Sequence, residues 1–119
     1  MSSETEEMNN YLTELLEDET IEYAIDLHSH SREYGSFVYC CDNSENSRLF
    51  RYYFTKNSAE CSYEKCKINL TQDKKCTFRG QMYHRLRIKN SYTIETSYYG
   101  YVSQGENDSE LIPFTLKNF

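Results

Sequence analysis

The chain has 119 residues and a formal net charge of −6, with twelve Tyr, six Phe and no Trp. This length predicts one domain with one modest hydrophobic core. The sequence lacks a run of eighteen apolar residues, and its first ten residues are acidic and polar, unlike a signal peptide. We therefore expect an intracellular protein, nuclear or cytoplasmic, that is not secreted and has no membrane partner.

Charge is distributed unevenly along the chain. Residues 1–47 hold twelve carboxylates and one cation, a net charge of −11. Residues 48–90 hold eleven cations and three carboxylates, a net charge of +8. A basic segment attracts phosphates, and an acidic segment in the same chain can shield it or bind a basic partner. The pattern therefore indicates a charged binding partner.

The first third of the chain predicts one helix and two strands. Residues 7–18 carry apolar side chains at helical spacing, and residues 1–6 are expected to form an acidic disordered arm. Apolar and polar residues alternate over 21–28, which is typical of a strand with one solvated face. Residues 36–41 are rich in strand-forming types, and a polar stretch then ends that strand.

The middle of the chain predicts further strands. Residues 48–56 are rich in aromatic strand formers, and residues 67–70 and 76–79 flank a polar loop that is typical of a hairpin. A strand over 82–89 would place one aromatic ring and three cations on one face. A helix over 81–90 is the alternative, and it ranks second because it would spread the apolar residues around its surface.

The last part of the chain completes the predicted fold. Tyr-rich residues 93–102 predict one more strand or hairpin arm, and residues 111–119, with the only proline, predict an edge segment. These elements together predict an α+β fold, in which an N-terminal amphipathic helix precedes an antiparallel β meander of about five to seven strands. We assign residues 7–119 to a single α+β domain with its basic segment at 48–90.

Cys61 and Cys66 form the densest chemical feature of the basic segment. Two thiolates separated by four residues can bind one tetrahedral zinc ion, and His84 would add a nitrogen ligand. The predicted metal site is therefore one zinc ion held by Cys61, Cys66 and His84, with its fourth ligand left open. Buried, unreactive thiols are the competing interpretation.

The residues around these cysteines resemble two families of zinc finger. Phe50-Arg51-Tyr52-Tyr53, Cys61-x4-Cys66 and the stretch from Thr77 to His84 are similar to the β-sheet zinc fingers of the WRKY and FLYWCH families. Met82 stands where those families have a histidine. The same segment resembles a BED-type finger, with Asn90 at the position of the final histidine. Both families bind DNA as a rule, so the resemblance implies descent from a nucleic-acid-binding finger that is now degenerate.

His28 and His30 suggest a different kind of site. Two histidines two residues apart at a strand end project to one side, as in cupin-like and hydrolytic metal sites, and Asp26 and Glu33 are close in sequence. A polar hairpin loop is the interpretation that we favour. The sequence has only four glycines and lacks a phosphate loop, a nucleophile elbow and a His-Glu-x-x-His motif. We therefore predict no catalytic residues, no small-molecule substrate and no enzymatic activity.

The leading functional prediction is a small interaction module that binds nucleic acid or a nucleic-acid-associated protein through its basic segment. The predicted contact residues are Arg48, Arg51, Tyr52, Tyr83, Arg85, Arg87 and Lys89. Two alternatives stay open. One is an acidic inhibitor of the viral or phage type that mimics nucleic acid and blocks a basic groove, and the other is an aromatic-rich subunit of an obligate protein assembly.

Overall fold

The computed structural model describes residues 3–31, 33–68, 77–104 and 109–113. Its helices are α1 (Ser3–Asp18), α2 (Glu45–Lys56) and α3 (Phe78–His84). Its strands are β1 (Tyr23–His30), β2 (Ser36–Cys40), β3 (Lys67–Ile68), β4 (Asn90–Ser97), β5 (Gly100–Gln104) and β6 (Ser109–Pro113). The predicted α+β class with an N-terminal helix is confirmed.

The strands form a four-stranded sheet in the order β1-β4-β2-β3 and a separate β5-β6 hairpin. Strand β1 runs parallel to β4, and β2 runs antiparallel to β4 and parallel to β3. The sheet is therefore mixed, whereas the predicted meander would pair neighbouring strands antiparallel. Parallel strands need a long connection between them, and the segment that contains α2 and α3 provides it.

Helix α2 occupies a stretch that the sequence predicts to be a strand. Ser44 caps it by accepting a hydrogen bond from the Ser47 backbone N–H. Phe50 and Phe54, four residues apart, stack on each other with ring centroids 6.2 Å apart. Phe50 also stacks on Tyr92 of β4, with centroids 3.9 Å apart. The helical spacing thus brings both phenylalanines onto the sheet, and this packing outweighs the strand propensity of the individual residues.

Helix α3 and a loop replace the strand predicted over residues 82–89. Met82 is 1% exposed and packs in a cluster with Ala24 of β1 and with Ile88. Arg87 has a φ of 58°, which lies in the left-handed region and is incompatible with a regular strand. The alternating pattern therefore comes from a short helix followed by a turn, which is closer to the helical alternative.

The central sheet is covered on both faces. On the first, the α2 face, α2 packs over Val38, Cys40 and Tyr92, each 0% exposed, which we call the Val38 cluster. On the second, the α3 face, residues of α1 and α3 pack against Ala24. Neighbouring residues of one strand point to opposite faces, so each strand contributes to both layers.

Several predictions concern parts of the chain beyond this description. Residues 69–76, with most of the predicted hairpin, and residues 114–119 lie outside the described ranges. Helix α1 begins at Ser3, and the division into an arm over 1–6 and one domain over 7–119 stays a prediction. In the described part of the chain, each helix falls short of the length and apolar character that a membrane span requires.

Candidate functional site

Three titratable side chains lie on the α3 face near the ends of two parallel strands. His28 of β1 and Glu95 of β4 are register partners, which places their Cα atoms about 5 Å apart. Asp26 lies two residues before His28 and therefore on the same face. Both strands end within two residues of these positions, at His30 and Ser97. In open α/β sheets, ligands bind outside the carboxyl ends of parallel strands.

The side chains of Asp26 and His28 lie within hydrogen-bond distance of each other. Nε2 of His28 lies 2.7 Å from Oδ2 of Asp26. The side chain of His28 is 54% exposed, and that of Asp26 is 27% exposed. When Nε2–H donates to a carboxylate, the lone pair of the neutral ring resides on Nδ1. Carboxylates orient metal-binding histidines in this way. Nδ1 of His28 is therefore suited to act as a ligand or acceptor.

Arg79 of α3 adds a buried positive charge to this face. The side chain is 2% exposed, and its guanidinium donates a hydrogen bond to Oγ1 of Thr93 at 2.7 Å. The guanidinium also lies over the Tyr39 ring, 5.4 Å from its centroid. Thr93 is the register partner of Asp26, so Arg79 approaches the middle of the same polar row. A buried cation needs such partners to offset its loss of hydration.

Cys61 and Cys66 lie beside β2 and not in a finger. Cys61 forms an isolated parallel bridge with Ser36 at the start of β2. Sγ of Cys66 accepts a hydrogen bond from the Val38 N–H at 3.3 Å, and the residue packs against the Val38 cluster. Burial raises the pKa of both thiols.

His84 does not join the two cysteines. It is exposed at the end of α3, which packs on the opposite face of the sheet from Cys66. Within the described ranges, no group of three or more His, Cys, Asp or Glu side chains could hold a metal ion. Cys76 lies outside those ranges.

The predicted contact residues lie on different elements. Arg48, Arg51 and Tyr52 belong to α2, Tyr83 belongs to α3, and Arg85, Arg87 and Lys89 lie in the loop that follows α3. Arg51 is 7% exposed and donates to Oδ1 of Asn43 at 2.8 Å. The Tyr83 hydroxyl donates to Oδ2 of Asp42 at 2.9 Å. Arg51 and Tyr83 thus make contacts within the fold.

Comparison with known proteins points to an enzyme family. No family model matches the chain. The chain is 33% identical to cytosolic carboxypeptidase 3 of Mus musculus over 101 residues, which cover 76% of the chain and 10% of the relative. It is 31% identical to cytosolic carboxypeptidase 3 of Bos taurus over 99 residues, which cover 76% of the chain and 10% of the relative. It is 30% identical to cytosolic carboxypeptidase 2 of Macaca fascicularis over 115 residues, which cover 92% of the chain and 14% of the relative. The chain thus spans only a small part of the relatives that it matches.

These relatives correct several predictions. They are carboxypeptidases, which are enzymes, so the resemblance to WRKY, FLYWCH and BED zinc fingers is wrong, and so are the predictions of a nucleic-acid-binding module and of no enzymatic activity. The prediction of nucleic-acid partners without a small-molecule substrate is also wrong, because the name carboxypeptidase denotes action on peptides. The expected intracellular location agrees with these names, each of which includes the word cytosolic.

Sequence reasoning noted His28 but missed Glu95. The favoured interpretation gave His28 and His30 to a polar hairpin loop, whereas the structure places both within β1. Glu95 follows an apolar residue near the start of the strand predicted over 93–102, where a carboxylate is ordinary. Only the parallel pairing of β1 with β4 brings the two side chains together, and the two residues are 67 positions apart in the sequence.

Proposed function

We propose that this chain is a segment of a carboxypeptidase-type enzyme and that it contributes His28 and Glu95 to the active site. The similarity to cytosolic carboxypeptidases 2 and 3 is the observation that carries the proposal. The adjacency of the two side chains at the carboxyl ends of parallel strands supports it. The substrate class proposed from these relatives is a peptide, cleaved at its carboxyl end.

Each side chain has a chemical role in such a reaction. Peptide hydrolysis needs an attacking water molecule and a group that removes its proton. Glu95 is a partly buried carboxylate at the strand end and is suited to act as that general base. His28 presents Nδ1 as a ligand atom, and Asp26 holds the imidazole in the required tautomer through the 2.7 Å contact with Nε2.

The α3 face supplies one of the protein ligands that a catalytic zinc ion would need. A catalytic zinc ion has three protein ligands, and it activates water by lowering its pKa to about 7. Among the described residues the α3 face offers His28 as one nitrogen ligand, without a complete set of three. The remaining ligands would belong to parts of a longer protein, since the chain spans only 10% of the mouse relative.

A chimeric enzyme tests this proposal. The matched segment of the mouse carboxypeptidase is replaced by this chain, and the release of carboxyl-terminal residues from a peptide is measured together with the zinc content. We expect an active, zinc-containing chimera. We expect His28→Ala to lower zinc affinity and activity by at least about tenfold, because it removes a ligand. His84→Ala, which changes an exposed histidine at the end of α3, is the matched control and should have no effect.

Circular dichroism of each chimera separates loss of the site from loss of the fold. A folded chimera that binds no zinc and releases no residue would overturn the proposal. If His28→Ala changes zinc content and activity as little as His84→Ala does, His28 is not part of the site.

A further inference from the structure

His30 is the last residue of β1 and lies on the α3 face, two residues after His28. Its register partner in β4 is Ser97, whereas Phe37 of β2 is the register partner of Glu95. Strands β1 and β2 lie on either side of β4 in the sheet. His30 and Phe37 therefore flank, one from each side, the part of β4 that carries Glu95.

The rings of His30 and Phe37 meet across β4. Their strands are two inter-strand spacings apart, which is about 10 Å. The ring centroids are only 4.9 Å apart, with an angle of 59° between the ring planes. Both side chains therefore lean towards each other over β4, into the space beside Glu95. Phe37 is 3% exposed, so it offers the imidazole a fixed apolar surface.

A backbone hydrogen bond fixes the orientation and the tautomer of this imidazole. The N–H of Glu33 donates to Nδ1 of His30 at 3.3 Å. A ring nitrogen that accepts a hydrogen bond has no proton, so the proton of the neutral ring is on Nε2. Nε2 of His30 is buried and, within the described residues, has no hydrogen-bond partner. A buried donor without an acceptor is unfavourable, which indicates that an acceptor approaches this atom in the working protein.

Glu95 is the acceptor that this geometry favours. Its carboxylate is partly buried and belongs to the strand over which the His30 ring leans. The Ser97 hydroxyl already accepts a hydrogen bond from the Tyr99 N–H at 3.1 Å. Glu33 also has a buried carboxylate oxygen without a partner, but its backbone lies at Nδ1, on the side of the ring away from Nε2. Hydrogen bonds in unliganded active sites are often long and shorten only when the substrate is bound.

We propose that His30 is a positioning residue for Glu95. In the enzyme with a bound peptide, Nε2–H of His30 donates to one oxygen of the Glu95 carboxylate and leaves the other oxygen free to accept the proton of the attacking water. The side chain of Glu95 has several rotatable bonds, so a fixed donor holds its carboxylate in the orientation that proton transfer requires. This inference rests on the proposed function, because the orientation of Glu95 affects the rate only if Glu95 is the general base.

Steady-state kinetics of the carboxypeptidase chimera test this role with variants that replace one ring nitrogen at a time. His30→Asn keeps an acceptor near the position of Nδ1 and removes the donor at Nε2. We expect it to lower kcat by about tenfold or more and to leave KM within about twofold, because the lost hydrogen bond is to a charged group and matters only in the transition state. His30→Gln places an amide donor near the position of Nε2 and should keep kcat within about threefold of the unmutated chimera. The matched control is His84→Asn, which changes an exposed histidine at the end of α3 and should leave kcat unchanged.

A double-mutant cycle identifies the acceptor. If Nε2–H donates to Glu95, His30→Asn should cause little further loss of kcat in the Glu95→Gln background, because the two changes remove parts of one contact. Glu33→Gln keeps the backbone N–H that holds Nδ1 and should leave kcat unchanged. His30→Asn should therefore have its full effect in the Glu33→Gln background.

The tautomer of His30 gives a measurement that does not need the chimera. Long-range proton–nitrogen NMR spectra of the 119-residue chain, recorded at alkaline pH where the imidazole is neutral, should show the proton on Nε2. The resonances of His30 are assigned by their absence from the spectrum of His30→Asn. A neutral ring with its proton on Nδ1 would overturn the proposal, because Nε2 could then not donate.

The kinetic results separate failure of this role from failure of the proposed function. An unmutated chimera that folds but is inactive would overturn the proposed function and this role with it. An active chimera in which His30→Asn has no effect, or in which His30→Asn and His30→Gln lower kcat equally, would overturn only the role of His30. A decrease in kcat for Glu33→Gln as large as that for His30→Asn would make Glu33 the acceptor and would also contradict the proposal.

Discussion

The two faces of the central sheet differ in chemistry although the same strands form both. Along β4, Tyr92 and Ile94 lie on the α2 face and contact apolar side chains. Ser91, Thr93 and Glu95 lie on the α3 face, where Ser91 and Thr93 are buried polar residues. The α2 face is therefore held by aromatic and aliphatic packing, and the α3 face combines the apolar cluster around Ala24 and Met82 with hydrogen-bonding and charged groups. The proposed reaction site lies on the α3 face, among the polar groups of β1 and β4.

The largest effect on stability should follow from a change on the α2 face. Tyr92→Ala removes a ring that is 0% exposed and stacked on Phe50. We expect a loss of about 3 to 5 kcal/mol in the free energy of unfolding, measured by chemical denaturation. Tyr52→Ala, at a position 49% exposed on the same helix as Phe50, should change it by less than about 0.5 kcal/mol. Similar losses in both variants would contradict the assignment of the core.

A smaller loss is expected from the buried cation on the α3 face. Arg79→Met keeps the apolar bulk of the side chain and removes the guanidinium that donates to Thr93. Hydrogen bonds that involve a charged group contribute about 1.5 to 3 kcal/mol, so we expect a loss in that range by chemical denaturation. If Arg79→Met is as stable as the original chain, the charge of Arg79 does not stabilise this face.

Asp42 connects the two layers and gives a prediction about pH. Burial by itself raises the pKa of Asp42, but hydrogen bonds from Ser44, Ser47 and Tyr83 outweigh this effect and lower the pKa from 3.8 to about 2. Ser44 and Ser47 belong to the start of α2, whereas Tyr83 belongs to α3. A carboxylate with a lowered pKa stabilises the fold above its unfolded-state value, and this contribution is lost as the pH falls through the folded-state value.

Asp42→Asn tests that contribution. We expect the variant to be less stable than the original chain at neutral pH by about 1 kcal/mol, because amide acceptors form weaker hydrogen bonds than carboxylates. The difference in Tm between the two proteins should narrow as the pH falls from about 4 to about 2. Thermal unfolding followed across this range measures it. A difference in Tm that does not vary with pH would show that Asp42 does not have a lowered pKa.

The smallest effect on stability should come from the candidate reaction site. His28→Ala removes the contact between His28 and Asp26, in which the histidine is more than half exposed, and exposed pairs of this kind contribute about 0 to 1 kcal/mol. We expect chemical denaturation to show a change at the lower end of that range. A loss as large as that of Tyr92→Ala would assign His28 to the structural core and would contradict the division between the two faces.

The elements that the sequence predicts correctly are those whose signals are local. The alternation before His28 and the helical spacing in α1 involve neighbouring residues, and both elements form close to their predicted positions, although α1 begins at Ser3 and β1 at Tyr23. For α2 the local signals conflict. Its aromatic residues favour a strand, while the Ser44 cap and the spacing of Phe50 and Phe54 favour a helix. Packing on Tyr92 decides between them, and that contact is distant in sequence.

The candidate site depends on distant contacts, and for that reason the sequence does not reveal it. The pairing of β1 with β4 alone makes His28 a neighbour of Glu95. The charge pattern of the basic segment likewise fails to show which of its cations are buried. Arg51 and Arg79 count as surface charges in a charge pattern, yet they are 7% and 2% exposed and bind groups inside the fold. Net charge describes the composition of a segment, but it does not show which cations reach the surface.

The most direct test of the division between the faces is the activity of Glu95→Gln in the carboxypeptidase chimera. Removing a general base typically lowers kcat by about 10² to 10⁴. We expect a decrease of that size with unchanged circular dichroism and zinc content, and no decrease for Glu64→Gln, an exposed carboxylate between Cys61 and Cys66. A kcat for Glu95→Gln within a few-fold of that of the unmutated chimera would contradict the assignment of the α3 face as the reaction site.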